Sequence, residues 1–126
     1  MSRITITELD HIVLNVSDVE KSLSFYLDEL GLEPHRVDDW RNNAAPFPSV
    51  RINGDTIIDL VESTPTGENL NHFCFVIDKV DFESLIKDGN LPIETGPASR
   101  SGARGIGISV YLRDPDHNLV ELRYYD

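Results

Sequence analysis

Two histidines and two carboxylates recur at matched places in this chain. Leu9-Asp10-His11 aligns with Leu70-Asn71-His72, 61 residues on (72 minus 11), and Ile58-Asp59-Leu60 aligns with Val120-Glu121-Leu122, 62 residues on (121 minus 59). With the histidines superposed, Val16 and Val19 fall on Ile77 and Val80. The match is sparse but ordered, as an internal repeat requires. Two imidazoles and two carboxylates make a donor set for a borderline divalent ion, Zn, Ni, Fe, Co or Mn, with coordination positions left for water or substrate. A single strand histidine is ordinarily a polar residue on a wet sheet face. Their matched positions make His11, Asp59, His72 and Glu121 candidate metal ligands.

The elements that carry these residues follow from hydrophobic periodicity. From Leu9 to Val16 the residues alternate, with Ile12, Leu14 and Val16 on one face and His11, Val13 and Asn15 on the other, which predicts a half-buried strand. Val19, Leu23, Tyr26, Leu27 and Leu30 then recur at helical spacing between a cap at Ser17 or Asp18 and a stop at Gly31. A strand near His35–Asp38, a loop from Trp40 to Pro48 and a hairpin turning at Asn53-Gly54-Asp55 complete the first half. The second half repeats the order: strand His72–Ile77, a helix from about Asp81 to Lys87 closed by Gly89, and strands near Ile93, Ile108–Leu112 and Leu119–Tyr124. The expected fold is α+β, two βαβββ modules forming a curved mixed sheet. In each strand the candidate ligand lies opposite the apolar face. If that apolar face packs on helices, the four ligands line one cavity.

The whole chain sets bounds on this reading. Its 126 residues suit one domain with its own core. The lone Cys74 cannot form an internal disulfide, no apolar run approaches the roughly eighteen residues of a membrane span, and the N-terminus lacks the pattern of a signal peptide. A cytoplasmic location, with no membrane partner, is the expectation. A net charge of -11 repels phosphate backbones, so nucleic acid is not an expected partner.

Against that negative field, Arg100 and Arg104 stand out. The stretch Ser99–Gly107 is expected to be a loop that closes over the cavity, its guanidinium groups holding a substrate carboxylate or phosphonate. Ser109 and Tyr111, two apart on a strand, share a face and are candidates to contact an oxygen held at the metal. Trp40 and Phe47 are candidates for an apolar wall, or for core or dimer contacts, and Cys74 for a small buried filler.

The segments LDHIVLNVSDVEKSLSFYLDELGL and GPASRSGARGIGISVYLRDPDHNLVELR resemble the vicinal oxygen chelate superfamily, which contains glyoxalase I, fosfomycin-resistance thiol transferases, extradiol dioxygenases and bleomycin-binding proteins. The second segment is similar to the glyoxalase-domain-containing-5 and bacterial virulence-associated branch. The resemblance implies a single such domain over 1–126, with modules at about 7–63 and 70–125. It also implies that His11, His72 and Glu121 are metal ligands, with Asp59 where glyoxalase I supplies a fourth ligand, a glutamate. Aspartate is one methylene shorter, which moves the site toward three ligands.

The implied activity is a metal-dependent lyase or isomerase of the glyoxalase I (lactoylglutathione lyase) type acting on a small oxygenated molecule. Glu121 or Asp59 would be the proton-moving base, and a thiol such as glutathione a cosubstrate. The alternatives are a thiol transferase of the fosfomycin-resistance type, with Arg100, Arg104 and Tyr111 holding an anion; an extradiol dioxygenase, with Tyr111 and Glu121 in the family's positions; and a non-catalytic binder of the bleomycin-resistance type. The dioxygenase pattern lacks its upstream histidine near Arg104 and has His117 in place of a turn glycine. Retention of the metal ligands argues against the binder. A homodimer with each cavity shared between chains is also implied.

Overall fold

The computed structural model describes residues 3–89, 91–113 and 118–126; the turn position His117 lies outside them. Two compact units divide the chain, residues 11–71 in one and residues 1–10 with 72–126 in the other. The division falls inside the first strand, β1 (Ile6–Val16).

In the unit of residues 11–71, β1 continues from His11 and is followed by helix α1 (Val19–Leu23), where the Asp18 side chain accepts from the Lys21 N–H at 3.1 Å. A π-helical segment, Ser24–Glu29, prolongs α1 before Gly31 turns the chain at φ +75°. Then come β2 (Glu33–His35), α2 (Val37–Arg41), β3 (Ser49–Arg51) and β4 (Ile57–Glu62), in the sheet order β2-β3-β4-β1. The strand expected at His35–Asp38 is corrected here: β2 stops at His35, and Val37–Arg41 is helical. Arg36, at φ 60°, turns the chain in the left-handed region, and its carbonyl accepts from Trp40 N–H at 2.9 Å. A segment this short fits either period, so the pattern alone could not decide. The β3–β4 turn is stabilised by Asn53 Oδ1, which accepts from the N–H groups of Asp55 and Thr56 at 2.8 and 3.0 Å.

The core of this unit joins Val19 and Leu23 of α1 to Val37, Val50 and Leu60. Leu23 is 2% exposed. Leu23→Ala is expected to cost about 2–5 kcal/mol, from lost transfer free energy and the cavity left behind. Urea unfolding at unchanged m measures it, and a loss below about 1 kcal/mol would mean the helix does not depend on that contact.

The other unit contains β5 (Leu70–Ile77) from His72 onward, α3 (Phe82–Asp88), β6 (Ile93–Gly102), β7 (Gly105–Arg113) and β8 (Leu119–Tyr124), in the sheet order β5-β8-β7-β6. Asp81 caps α3 by accepting from Ser84 N–H at 3.2 Å, and Gly89 ends it at φ +69°. Phe82 and Leu85 pack on Ile77, Val110 and Leu122. The expected loop Ser99–Gly107 is also corrected: it is the end of a tight β6–β7 hairpin, with Arg100 opposite Gly107 and Gly102 opposite Gly105. Its glycines and polar residues hide the period-two pattern, and the ladder is visible only through its partner strand.

Both units follow one plan, in which the strand before the helix pairs in parallel with the last strand. In one, β1 pairs with β4 with Val13 opposite Asp59; in the other, β5 pairs with β8 with Cys74 opposite Glu121. Each histidine sits two residues before the residue facing the carboxylate. Side chains two apart share a face, so each unit brings an imidazole and a carboxylate to neighbouring strands on one face.

Candidate functional site

The carboxylate on β8 is 1% exposed, too buried for a wet sheet face. Leaving it without partners would cost several kcal/mol, so its hydrogen bonds must be accounted for. His72 Nε2 lies 3.1 Å from Oε1. Ser109 Oγ donates to Oε2 at 2.7 Å, and Arg123 donates to the same oxygen from Nε at 3.3 Å and lies 3.2 Å away through Nη2. Oε2 is thus occupied by a hydroxyl and a guanidinium, while Oε1 faces an imidazole.

Arg123 is itself wholly buried. Its Nη1 donates to the Tyr125 hydroxyl at 2.9 Å, and its Nη2 to the carbonyls of Arg100 and Ser101 at 2.9 and 3.2 Å. Tyr125 in turn donates to the buried Asp10, whose other oxygen accepts from Ala103 N–H at 3.1 Å. Burial and the Asp10 carboxylate push the Tyr125 hydroxyl up to about 12. A hydrogen-bonded chain therefore runs from Asp10 through Tyr125 and Arg123 to Glu121, anchored on the β6–β7 hairpin.

Tyr111 meets His72 edge to face, with ring centroids 5.8 Å apart. Burial first, then the negative charge of Glu121, push its hydroxyl up to about 12, against the opposing effect of Arg100. At neutral pH it is a hydrogen-bond donor. Burial pushes the Cys74 thiol up and Glu121 reinforces the effect, so Cys74 remains a protonated filler.

The first unit builds its own version. His11 and Asp59 are each 3% exposed, with His11 Nε2 3.9 Å from Asp59 Oδ2. Asp59 Oδ1 accepts from Ser49 Oγ and from Arg36 Nη2, the latter at 3.0 Å, and Arg36 Nη2 also donates to Ser49 Oγ at 2.8 Å. The antiparallel register places Ser49 opposite Asp59, and the left-handed turn at Arg36 precedes α2. Arg36 lies over the ring of Phe47 at 5.3 Å, and Trp40 packs against the core of this unit.

Of the two arginines singled out in the sequence, Arg100 is exposed, donates to the Ser99 carbonyl at 3.0 Å and acts on Tyr111. Arg104 pairs with Glu8 and lies over the Tyr125 ring at 5.5 Å. Ser109, expected to meet substrate, spends its hydroxyl on Glu121. Sequence reasoning missed Arg123, Tyr125, Asp10, Arg36 and Ser49. Arg123 carried a signal: two residues after Glu121, it had to share the same face. Arg36 and Ser49 carried none, because only the fold brings them to Asp59.

Each unit thus offers an imidazole nitrogen, buried in His11 and half-buried in His72, and a buried carboxylate with one oxygen already held. Nitrogen and oxygen donors of this kind fit a borderline divalent transition metal.

The Glyoxalase/Bleomycin resistance protein/Dioxygenase superfamily model matches residues 8–122. The chain is 34% identical over 125 residues to virulence protein STM3117 of Salmonella typhimurium, covering 95% of this chain and 85% of that protein. It is 32% identical over 130 residues to glyoxalase domain-containing protein RDO1 of Mycosarcoma maydis, covering 98% and 71%. The fold is similar to that of the Mn(II)-bound glyoxalase from Novosphingobium aromaticivorans, with TM-score 0.66 and 19% identity, covering 96% of this chain and 40% of that one. No helix among the described residues is long and apolar enough to cross a membrane.

Proposed function

Because the chain belongs to the glyoxalase/bleomycin resistance protein/dioxygenase superfamily, we propose that it is a metal-dependent enzyme isomerising a small oxygenated substrate in the manner of glyoxalase I. The observation that carries this reading is Glu121, buried, with one oxygen against His72 and the other fixed by Ser109 and Arg123. Preorganised, water-excluded groups are worth most where charge develops during a reaction. The manganese named for the Novosphingobium protein adds support for a metal.

In this reading His11, His72 and Glu121 hold the ion, which supplies Lewis-acid polarisation of a substrate oxygen when bound. Tyr111, kept protonated, donates a hydrogen bond to that substrate. Arg100 fixes an anionic substituent, whereas Arg104 is engaged by Glu8. Asp59 Oδ1 is held by Ser49 and Arg36, so Oδ2 takes the proton from one substrate carbon and returns it to the next. Glu121 Oε1 is the other candidate for that proton. The protein works as a homodimer in this proposal.

A second reading, thiol transfer to an epoxide or similar electrophile, is favoured by the exposed Arg100 acting on Tyr111, a pair suited to holding an anion. Purified protein loaded in turn with Zn, Mn, Co and Ni separates the two. An isomerase consumes the adduct of methylglyoxal and glutathione, and a transferase consumes thiol plus electrophile. Turnover of neither would favour a ligand-binding role. Arg100→Ala is expected to cost on the order of 1–3 kcal/mol in kcat/KM, and unchanged kinetics would remove Arg100 from the site.

A further inference from the structure

The arginine beneath Glu121 needs a reason. A wholly buried guanidinium is expensive to desolvate, and a packed apolar residue of similar volume would serve stability as well or better. What Arg123 provides is orientation. It donates to Glu121, to Tyr125 and to two hairpin carbonyls, which fixes its plane, and with Ser109 it occupies Oε2 of Glu121. Gly102 is shaped for it: a Cβ there would lie 1.7 Å from Arg123 Nη1. The same device is built independently at Asp59, where Ser49 and Arg36 hold Oδ1 and Oδ2 is the oxygen nearer His11. A serine–arginine clamp on one oxygen of each carboxylate is therefore a repeated feature of both units.

We propose that Arg123 and Ser109 are positioning residues that reserve one oxygen of Glu121, so that the carboxylate offers a metal Oε1 alone in a fixed direction. Arg123 further ties that ligand to the hairpin carrying Arg100, through the Arg100 and Ser101 carbonyls. This rests on the metal reading above. Removing the clamp lets the carboxylate rotate or bind through both oxygens, and loss of such supporting partners typically weakens metal affinity about 10–100-fold.

The test is Co²⁺ titration of the full chain, read as affinity and as the visible d–d spectrum, in wild type, Ser109→Ala, Arg123→Lys and His72→Ala. Arg123→Lys keeps the charge and removes the planar fork, so its effect reports geometry. Ser109→Ala removes one hydroxyl and decides the matter if Arg123→Lys does not fold. The expected result is roughly tenfold or greater weakening in Ser109→Ala and Arg123→Lys, with a changed d–d band, in proteins whose circular dichroism matches wild type. A merely structural role would leave the band unmoved. Wild-type affinity and spectrum in folded Ser109→Ala would overturn the clamp while His72→Ala still loses Co²⁺. If wild type itself binds no Co²⁺, the metal reading fails and the clamp proposal falls with it.

Discussion

Alanine in place of His72 or Glu121 is expected to weaken binding of a divalent transition metal more than about a hundredfold, a larger loss than removal of a supporting residue gives. If the proposed site holds the ion, each variant deletes one of its few nitrogen or oxygen donors, and a water in its place is a weaker ligand. His72→Ala also removes the imidazole 3.1 Å from Glu121 Oε1, while Ser109 and Arg123 still hold the far oxygen. Titration calorimetry with Zn²⁺ or Mn²⁺, with about one ion bound per wild-type chain, measures the loss. Equal affinity in wild type and both variants would show that the matched residues form only an ion pair within the fold. Mixing His11→Ala with His72→Ala under subunit exchange extends the experiment. Metal binding returns in the mixture if one site draws His11 from one chain and His72 from another, and does not return if each chain builds its own site.

The second large effect is expected at a residue with no side chain. Gly102→Ala should destabilise the protein by about 3–5 kcal/mol, the range for breaking a buried ion pair by displacing one partner. The new Cβ would sit 1.7 Å from Arg123 Nη1 and 2.5 Å from the Tyr125 hydroxyl oxygen. Flexible side-chain ends can usually move aside cheaply. Here the guanidinium is bonded to Glu121, Tyr125 and two carbonyls, so moving it strands several buried polar groups at once. Gly54→Ala is the control, because a Cβ there meets nothing within 4 Å. It should stay within about 0.5 kcal/mol of wild type. Urea unfolding compares them, and a Gly102→Ala midpoint no lower than that of Gly54→Ala would mean that Arg123 is loosely held.

Alternation and repetition in the sequence were enough to single out four polar residues, of which His11, Asp59 and Glu121 are buried and His72 half-buried. His11, Asp59, His72 and Glu121 each lie opposite an apolar row, and the shared spacing implied one strand-helix-strand plan used twice. Local periodicity carries that information because a strand reverses its faces every residue, whatever it pairs with. It failed at Val37–Arg41, where one left-handed residue, Arg36, converts an expected strand into a helix, and at Ser99–Gly107, where glycines conceal a hairpin. Only the tertiary structure decided how the carboxylates are held. Ser49 reaches Asp59 through antiparallel register, Ser109 reaches Glu121 from a neighbouring strand, and Arg123 is fixed by hairpin carbonyls more than twenty residues earlier. The partner of a buried polar atom is set by strand register and by separations of a few tenths of an ångström, to which the order of residue types along the chain is blind.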